Sequence, residues 1–309
     1  MLVSLGFVGL ALCAVAGFAA PALKRADIPA AAAGTSVDVE LVLAVDISYS
    51  MDPDEQALQR EGYVTALTSP EFLNALRQGL HGKIAVTYVE WAGTAEQRVI
   101  VPWRVIDGRA SAETFADEIA EAPYRRAYRT SISGALQFAT PLFETSGHRG
   151  LRRVIDISGD GANNQGLPVT LARDEVVAKG ITINGLPIML KRPSPTTMDI
   201  EQLDIYYEDC VIGGPSAFVI PIRDRAQFKE ATRTKLVLEV AGASPPPRVE
   251  PVSTEAPRVS CLIGERLWQQ RWGGSPDFNG APARAMQTLR FRGACRARPT
   301  GQPCAARGG

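Results

Sequence analysis

Apolar positions in the middle of the chain follow two alternating rhythms. Val39 to Val45 is almost continuously apolar and ends at Asp46, as expected of a strand buried on both faces of a parallel sheet. After a short turn containing Asp and Pro, residues 54–77 place Leu58, Val64, Leu67, Phe72 and Leu76 at helical spacing, with a break expected near Pro70. Two β-rich runs follow, 84–91 and 97–105, and the Ala92-Gly93-Thr94-Ala95-Glu96 segment between them suits an antiparallel hairpin. Further helices are predicted over 111–121, 132–144, 168–179, 197–208 and 224–239, and further strands over 153–158, 181–187 and 217–222. This alternation predicts an α/β domain: doubly wound, with helices on both faces of a mostly parallel sheet that carries one antiparallel edge strand. The ligand site of such a sheet lies at the carboxyl ends of its central strands.

The ends of the chain read differently. Leu2 to Ala20 is apolar and is followed by Ala20-Pro21-Ala22, the small-residue pattern at which a signal peptide is cleaved. Residues 1–22 therefore read as an export signal, although no Lys or Arg precedes the apolar run; uncleaved, it would be a membrane anchor. No other stretch approaches the ~20 apolar residues that a membrane-spanning helix needs. Ala-rich residues 23–37 read as a spacer and 38–240 as the folded domain. From Gly242 onward Pro245-Pro246-Pro247 and the loss of any hydrophobic period mark 241–309 as a Pro/Gly/Arg-rich, largely disordered tail, with short helices expected at 260–272 and 282–292. Export would leave Cys210, Cys261, Cys295 and Cys304, an even number suited to a periplasmic or secreted protein. Four cysteines allow three pairings, and a bridge from Cys210 would tie the tail to the domain; the alternative is a buried Cys210 thiol with unpaired tail cysteines. None of the spacings is that of a zinc site.

Composition and charge narrow the partners. The 309 residues hold 33 Lys+Arg against 33 Asp+Glu, which argues against a dedicated nucleic-acid binder. The balance is an average: residues 241–309 hold ten Arg and no Lys against four acidic residues, a net of +6, residues 1–37 give +1, and 38–240 carry the remaining −7.

The unusual polar residues fall where the strands end. Asp46-Ile47-Ser48-Tyr49-Ser50 leaves the first strand, Ser158-Gly159-Asp160-Gly161 leaves the strand at 153–158, and Thr130 precedes a helix whose start points to the same edge. Two carboxylates and three hydroxyls form an all-oxygen set, suited to a hard divalent cation and poorly suited to zinc or copper. Residues i, i+2 and i+4 of an extended loop project to one side, so Asp46, Ser48 and Ser50 can face one point. With so few anionic ligands the ion keeps net positive charge, leaving a coordination position for an outside carboxylate. Against this stands a bland alternative, in which Asp46 and Ser48 cap the next helix and Asp160 sets a turn.

Asp46-x-Ser48-x-Ser50 after a buried strand, Thr130 before Gly134-Ala135-Leu136, and Asp160-Gly161 after a later strand together resemble the metal-ion-dependent adhesion site of von Willebrand factor type A domains, over residues 38–240. The Val-Asp-Ile-Ser-Tyr-Ser-Met run, Val89-Glu90-Trp91, Ser158 to Gly161 with Asn163-Asn164, and the segment from Tyr206 to Ile222 around Cys210 resemble more narrowly an exported bacterial branch of that family. The resemblance implies that Ser48 and Ser50 ligate Mg²⁺ directly (Mn²⁺ or Ca²⁺ in its place), Thr130 directly or through water, and Asp46 and Asp160 through waters. It also implies a protein partner whose Asp or Glu completes the coordination, and a closing helix, at 224–239, that can shift on binding. Arg129 stands where the family pattern has a small residue, which keeps Ser131 and Ser133 open as substitutes for Thr130.

Enzyme readings fare less well. A serine hydrolase needs a histidine base, and His81 and His148 lie beside no motif; Ser158 lacks the Gly-x-Ser-x-Gly elbow. An aspartyl-nucleophile phosphotransferase would want a second carboxylate at position 48, and no Gly-x-x-x-x-Gly-Lys loop is present. Metal-assisted hydrolysis with Glu90 as base is the surviving catalytic alternative, and a structural envelope domain without metal is the other. Tyr206 and Tyr207 read as packing residues rather than a ligand platform.

Overall fold

The computed structural model describes residues 34–191, 198–242 and 256–273. The expected export signal, most of the spacer, the helix expected at 282–292, Cys295 and Cys304 lie outside the described residues. The chain runs β1 (Thr35–Asp46), α1 (Pro53–Leu67), α2 (Pro70–Gln78), β2 (Ile84–Trp91), β3 (Gln97–Ile106), α3 (Arg109–Glu121), α4 (Ile132–Ala139), β4 (His148–Gly159), α5 (Val169–Ala178), β5 (Ile181–Pro187), α6 (Leu203–Tyr206), α7 (Phe228–Ala241) and α8 (Ile263–Trp272). The sheet has five strands in the order β3-β2-β1-β4-β5. All pairs are parallel except β2 with β3, the antiparallel edge. Among the described residues no helix is long and apolar enough to cross a membrane.

Strand β1 is the centre because it has hydrophobic side chains for both faces. Leu41, Leu43 and Val45 enter a core with Tyr63 and Leu67 of α1, Phe72 of α2, Phe115 of α3 and Leu236 of α7. Val42 and Ala44 enter the opposite core with Leu136 of α4, Ala172 of α5 and Tyr206. This period of two is the geometry of the pleat, and each fully buried Leu or Val contributes roughly 1.5–3 kcal/mol.

The break expected near Pro70 divides the helical pattern over 54–77 into α1 and α2: Ser69 caps α2, its Oγ accepting from Phe72 N at 3.2 Å, and Pro70 begins it. Several other element boundaries differ from expectation, each for an identifiable reason. The pattern over 132–144 is α4 followed by a 3₁₀ turn, Thr140–Thr145, that holds Pro141 near its start, a residue that cannot donate to a helical ladder. The helix expected over 197–208 is confined to α6 and a single π turn, Tyr207–Val211. The strand expected over 217–222 is absent as a strand: the segment lies along β5 in isolated parallel bridges, Gly185 with Val219 and Ile188 with Ile222. Pro187 of β5 has no N–H to donate between those bridges, so the ladder is interrupted. At the other end β1 starts at Thr35, inside the expected spacer, because Thr35 to Val37 continue the register with His148 to Gly150 of β4.

Within the expected tail, the described residues 256–273 carry α8 where a short helix was expected over 260–272, and a disulfide joins Cys210 to Cys261 across a separation of 51 residues with Cα atoms 5.4 Å apart. This is the tail-to-domain bridge that the cysteine pattern allowed. Arg258 adds ion pairs to Asp209 and Glu208 at 2.6 and 2.7 Å. Closing a loop of that length removes unfolded-state entropy worth about 4 kcal/mol in the chain-entropy account.

Helix α7 closes the fold through buried charge. Lys235, fully buried, pairs with Asp156 of β4 and with Glu239 one turn along α7. Tyr63 OH donates to Asp156 Oδ2 at 3.3 Å and Asn184 Nδ2 to Glu239 Oε1 at 3.2 Å. Burial, then repulsion from Asp156, raises Glu239 to about 7, with Lys235 and Asn184 opposing. Removing the lysine leaves the two buried carboxylates with the neutral donors Tyr63 and Asn184 in place of a cation. Lys235→Met is therefore expected to cost roughly 3–5 kcal/mol in chemical denaturation. Lys229→Met, which breaks an exposed pair with Glu61, is expected to cost less than about 1 kcal/mol. Equal losses would show that the buried triad does not hold α7 to the sheet.

Candidate metal centre

The site forms where three loops leave the carboxyl edge of the sheet. Asp46 is the last residue of β1, opposite Trp91 of β2, and its neighbour Val45 pairs with Ser158 near the end of β4. That register sets Asp46 beside the start of the Gly159–Asp160 turn. The third loop is zipped to the first: Ala127 N donates to Ile47 O at 3.0 Å and Tyr49 N to Ala127 O at 2.9 Å, which brings Thr130 alongside. Thr130 is held in turn by Asn164, whose Oδ1 accepts from Thr130 N at 3.1 Å and whose N donates to Thr130 O at 2.8 Å.

Four of the five predicted residues form one hydrogen-bonded chain, which reaches Asp46 through the Ser48 backbone N–H. Ser48 N donates to Asp46 Oδ1 at 2.7 Å, the Ser48 and Ser50 hydroxyls share a hydrogen bond of 2.7 Å, and Ser50 Oγ donates to Asp160 Oδ1 at 2.6 Å. Thr130 is buried and lines the same cavity of about 390 Å³ as Ser48, Ser50 and Gly161. Ser131 and Ser133, the possible substitutes, are engaged elsewhere. Ser131 Oγ caps α4 by accepting from Gly134 N at 3.1 Å and donates to Gln165 O at 2.9 Å; Ser133 Oγ reaches the same carbonyl at 3.4 Å.

The helix-capping part of the bland alternative does not hold. Helix α1 is capped by Asp52, whose Oδ1 accepts from Glu55 N at 2.8 Å while Glu55 Oε2 accepts from Asp52 N at 2.9 Å. Asp46 and Ser48 are thus free of that duty. Glu90, the candidate base, is buried and salt-bridged to Arg60 at 3.0 Å.

Electrostatically the centre is a carboxylate pair in want of positive charge. Burial, and after it the nearby Asp160, push the Asp46 carboxyl well above the usual range. Burial raises Asp160 to about 6, with the Ser50 hydroxyl and Lys191 opposing. Asp46 Oδ2 is buried and has no hydrogen-bond partner among the described residues. A Cβ at position 159 would lie 2.7 Å from that oxygen and 3.2 Å from Tyr207 OH, so only glycine fits there. An all-oxygen set with an orphaned buried carboxylate oxygen fits a hard divalent cation.

Sequence reasoning missed the supporting residues. Lys191 reaches Asp160 Oδ2 at 3.3 Å, pairs with the buried Glu55 and donates to Ser50 O. Burial opposes its charge, but Glu55 and Asp160 outweigh it and raise its pKa. Tyr207, expected to pack, is fully buried, and its hydroxyl faces the Asp46 side of Gly159. Lys191 carries no motif and gains its role only through the fold, whereas the Asn163-Asn164 pair beside Asp160-Gly161 was visible in the chain.

A five-stranded sheet of this order, covered by helices on both faces, is a von Willebrand factor type A-like fold. The chain belongs to the family described as "Protein of unknown function (DUF1194)", matched over residues 36–244. Among solved structures it is similar to proximal thread matrix protein 1 from the mussel byssus, at 14% identity and TM-score 0.50 over 67% of this chain and 49% of that one. That likeness shows the fold, and it spans about half the length of the byssus protein. A structure of the same byssus protein described as having a zinc-occupied MIDAS motif is 16% identical over 67% of this chain and 49% of that one, at TM-score 0.47. A pilus adhesin, SpaC from Lactobacillus rhamnosus GG, is 12% identical over 66% and 30% at TM-score 0.49. A von Willebrand factor type A protein from Catenulispora acidiphila is 17% identical over 67% and 43% at TM-score 0.44. Among curated proteins, none matches the sequence.

The raised Asp160 carboxyl has a measurable consequence without metal. Its value is about 6 in the fold against roughly 3.9 unfolded, so between these values the folded state binds the extra proton. Its contribution is full below about pH 4 and is lost as pH rises through about 6. In chelator-treated protein, wild type is expected to lose stability relative to Asp160→Asn between pH 4 and 6.5, measured by urea denaturation. Parallel curves would show that the Asp160 carboxyl is not raised.

Proposed function

We propose that this chain is a metal-dependent protein-binding domain, for adhesion or assembly, of the bacterial cell envelope. In this reading Asp46, Ser48, Ser50, Thr130 and Asp160 hold one divalent cation, Mg²⁺ by preference, with Mn²⁺ and Ca²⁺ as alternatives. The ion supplies a coordination position that the Asp or Glu of a protein ligand completes. The observation that carries the proposal is the hydrogen-bonded Asp46–Ser48–Ser50–Asp160 chain with the buried Asp46 Oδ2, unpartnered among the described residues, at its inner end. Two buried carboxylates with raised pKa values cost free energy unless a cation compensates them, and Lys191 reaches only Asp160 of the two.

The reading is one of binding rather than turnover. Hydroxyl ligands leave the ion more positive than a carboxylate cage would, which favours capture of an anionic group over activation of water. The commitment of Glu90 to Arg60 leaves the hydrolytic alternative without its base. Export to the periplasm or beyond is part of the proposal, supported by the apolar segment at residues 2–20 and by the Cys210–Cys261 disulfide, a bond that persists in oxidising compartments.

Metal addition tests this directly. Mg²⁺ or Mn²⁺ added to chelator-treated protein at about 100 times its Kd is expected to stabilise the fold by about 2.7 kcal/mol, read as a rise in Tm, and Asp160→Ala and Ser50→Ala are expected to abolish the rise. A flat response in the wild type would favour a structural domain without metal. For the partner, wild type but not Asp46→Ala is expected to retain an envelope protein in a pull-down that chelator reverses.

A further inference from the structure

The loop from Tyr124 to Arg129 builds a rim beside the metal centre that the centre itself does not need. Tyr49 and Tyr128 stack with ring centroids 4.3 Å apart, yet they are 46% and 75% exposed. The Arg126 guanidinium lies 4.7 Å over the Tyr49 ring and donates to Tyr49 O at 2.6 Å. Arg129 lies 3.3 Å over the Trp268 ring of α8. Its backbone is left-handed, φ 76°, a conformation that costs a non-glycine residue of order 1 kcal/mol and that clusters at functional sites. Aromatic rings of this size left stacked in solvent are the amphipathic anchors that protein interfaces favour.

Two donors in this rim are unsatisfied. Arg126 Nε and Arg129 Nη1 are buried and have no hydrogen-bond partner among the described residues. A second groove, of about 440 Å³, adjoins the one that contains Ser48, Ser50 and Thr130; Tyr49, Tyr128 and Arg129 line both. The second groove adds Arg125 and Arg126 against one carboxylate, Glu96, which lies 3.8 Å from Arg125. It is therefore a positive pocket, three arginines to one glutamate, on a domain whose residues 38–240 carry −7.

We propose that this Arg/Tyr rim reads an extended acidic segment of the partner, in which one carboxylate seats at the Ser48–Ser50–Thr130 centre and further carboxylates reach Arg126 and Arg129. Seating of a carboxylate at the centre rests on the metal-binding function proposed above; the rim's role in recognition does not. Guanidinium groups are the preferred partners of carboxylates because their forked donors match both oxygens, and the tyrosine faces offer apolar contact to the segment's backbone and methylenes. Nucleic acid is the less suitable polyanion, since a continuous phosphate backbone would meet the acidic remainder of the domain.

Fluorescence anisotropy on the full chain in Mg²⁺ buffer tests the inference with three labelled probes: a ten-residue alternating Glu-Gly peptide, the same peptide with all but one Glu replaced by Gln, and an oligothymidine of ten nucleotides. The many-carboxylate peptide is expected to bind about tenfold more tightly than the single-carboxylate peptide. The Arg125→Gln/Arg126→Gln variant is expected to erase most of that difference, and Tyr128→Ala, at an exposed position, to weaken both peptides alike, while the Mg²⁺-induced rise in Tm is unchanged in each. Equal affinities for the two peptides, an unchanged preference in the arginine variant, or tighter binding of the oligonucleotide would overturn the proposal. An arginine-dependent preference that survives chelator would support the rim and count against the metal reading, whereas Mg²⁺-dependent binding indifferent to the arginines would do the reverse.

Discussion

The structure depends on one strand being hydrogen-bonded on both sides. β1 pairs in parallel with β2 and with β4, so its backbone is satisfied entirely within the sheet and both rows of its side chains are covered by helices. Parallel pairing sends every neighbouring strand in the same direction, and all their carboxyl ends therefore open on one edge. Asp46 and Asp160, 114 residues apart in number, meet there because Val45 is in register with Ser158. A slip of one residue would turn Asp46 to the other face, and the oxygen chain through Ser48 and Ser50 would be lost.

Burial at that edge creates both the problem and its use. Carboxylates placed against Tyr207 and the ends of β1 and β4 lose hydration, and their pKa values rise. The fold answers this with partial compensation: one backbone donor for Asp46, a hydroxyl and Lys191 for Asp160. The same molecule manages a second buried charge cluster differently. Asp156 and Glu239 share Lys235 at the middle of the sheet, where the chain's own cation closes the network and ties α7 to β4. A centre left short of positive charge at an accessible edge suits an external cation; one completed inside the core serves the fold.

The rim around the centre unites parts of the chain remote in sequence. Loop residues 124–129 contribute arginines, Tyr49 comes from the β1 loop, and Trp268 is delivered by α8. Helix α8 reaches that position from beyond the domain because Cys261 is bonded to Cys210 and because Glu265 accepts from Asn163 Nδ2 at 2.7 Å. The balanced charge of the whole chain thus conceals a local arrangement, with a positive rim and a carboxylate centre side by side on an otherwise acidic domain.

What the sequence determined by itself was the set of patterns that need only neighbours. The apolar run of β1, the hairpin spacing between β2 and β3, the period of α2 and the Asp-x-Ser-x-Ser spacing are all local, and each was legible. The pattern failed where proline intervened, as at Pro187 beside residues 217–222; along α1 it placed the helix but not the polar part of its inward face, which carries Gln59 bonded to Ser158 Oγ, Arg60 bonded to Glu90, and Glu55. Only the tertiary structure decided which groups complete the site. Lys191, Tyr207 and the α8 tryptophan have no local signature, because their roles depend on distances across the fold, and it is burial in the fold that raises the pKa of two ordinary carboxylates, Asp46 and Asp160.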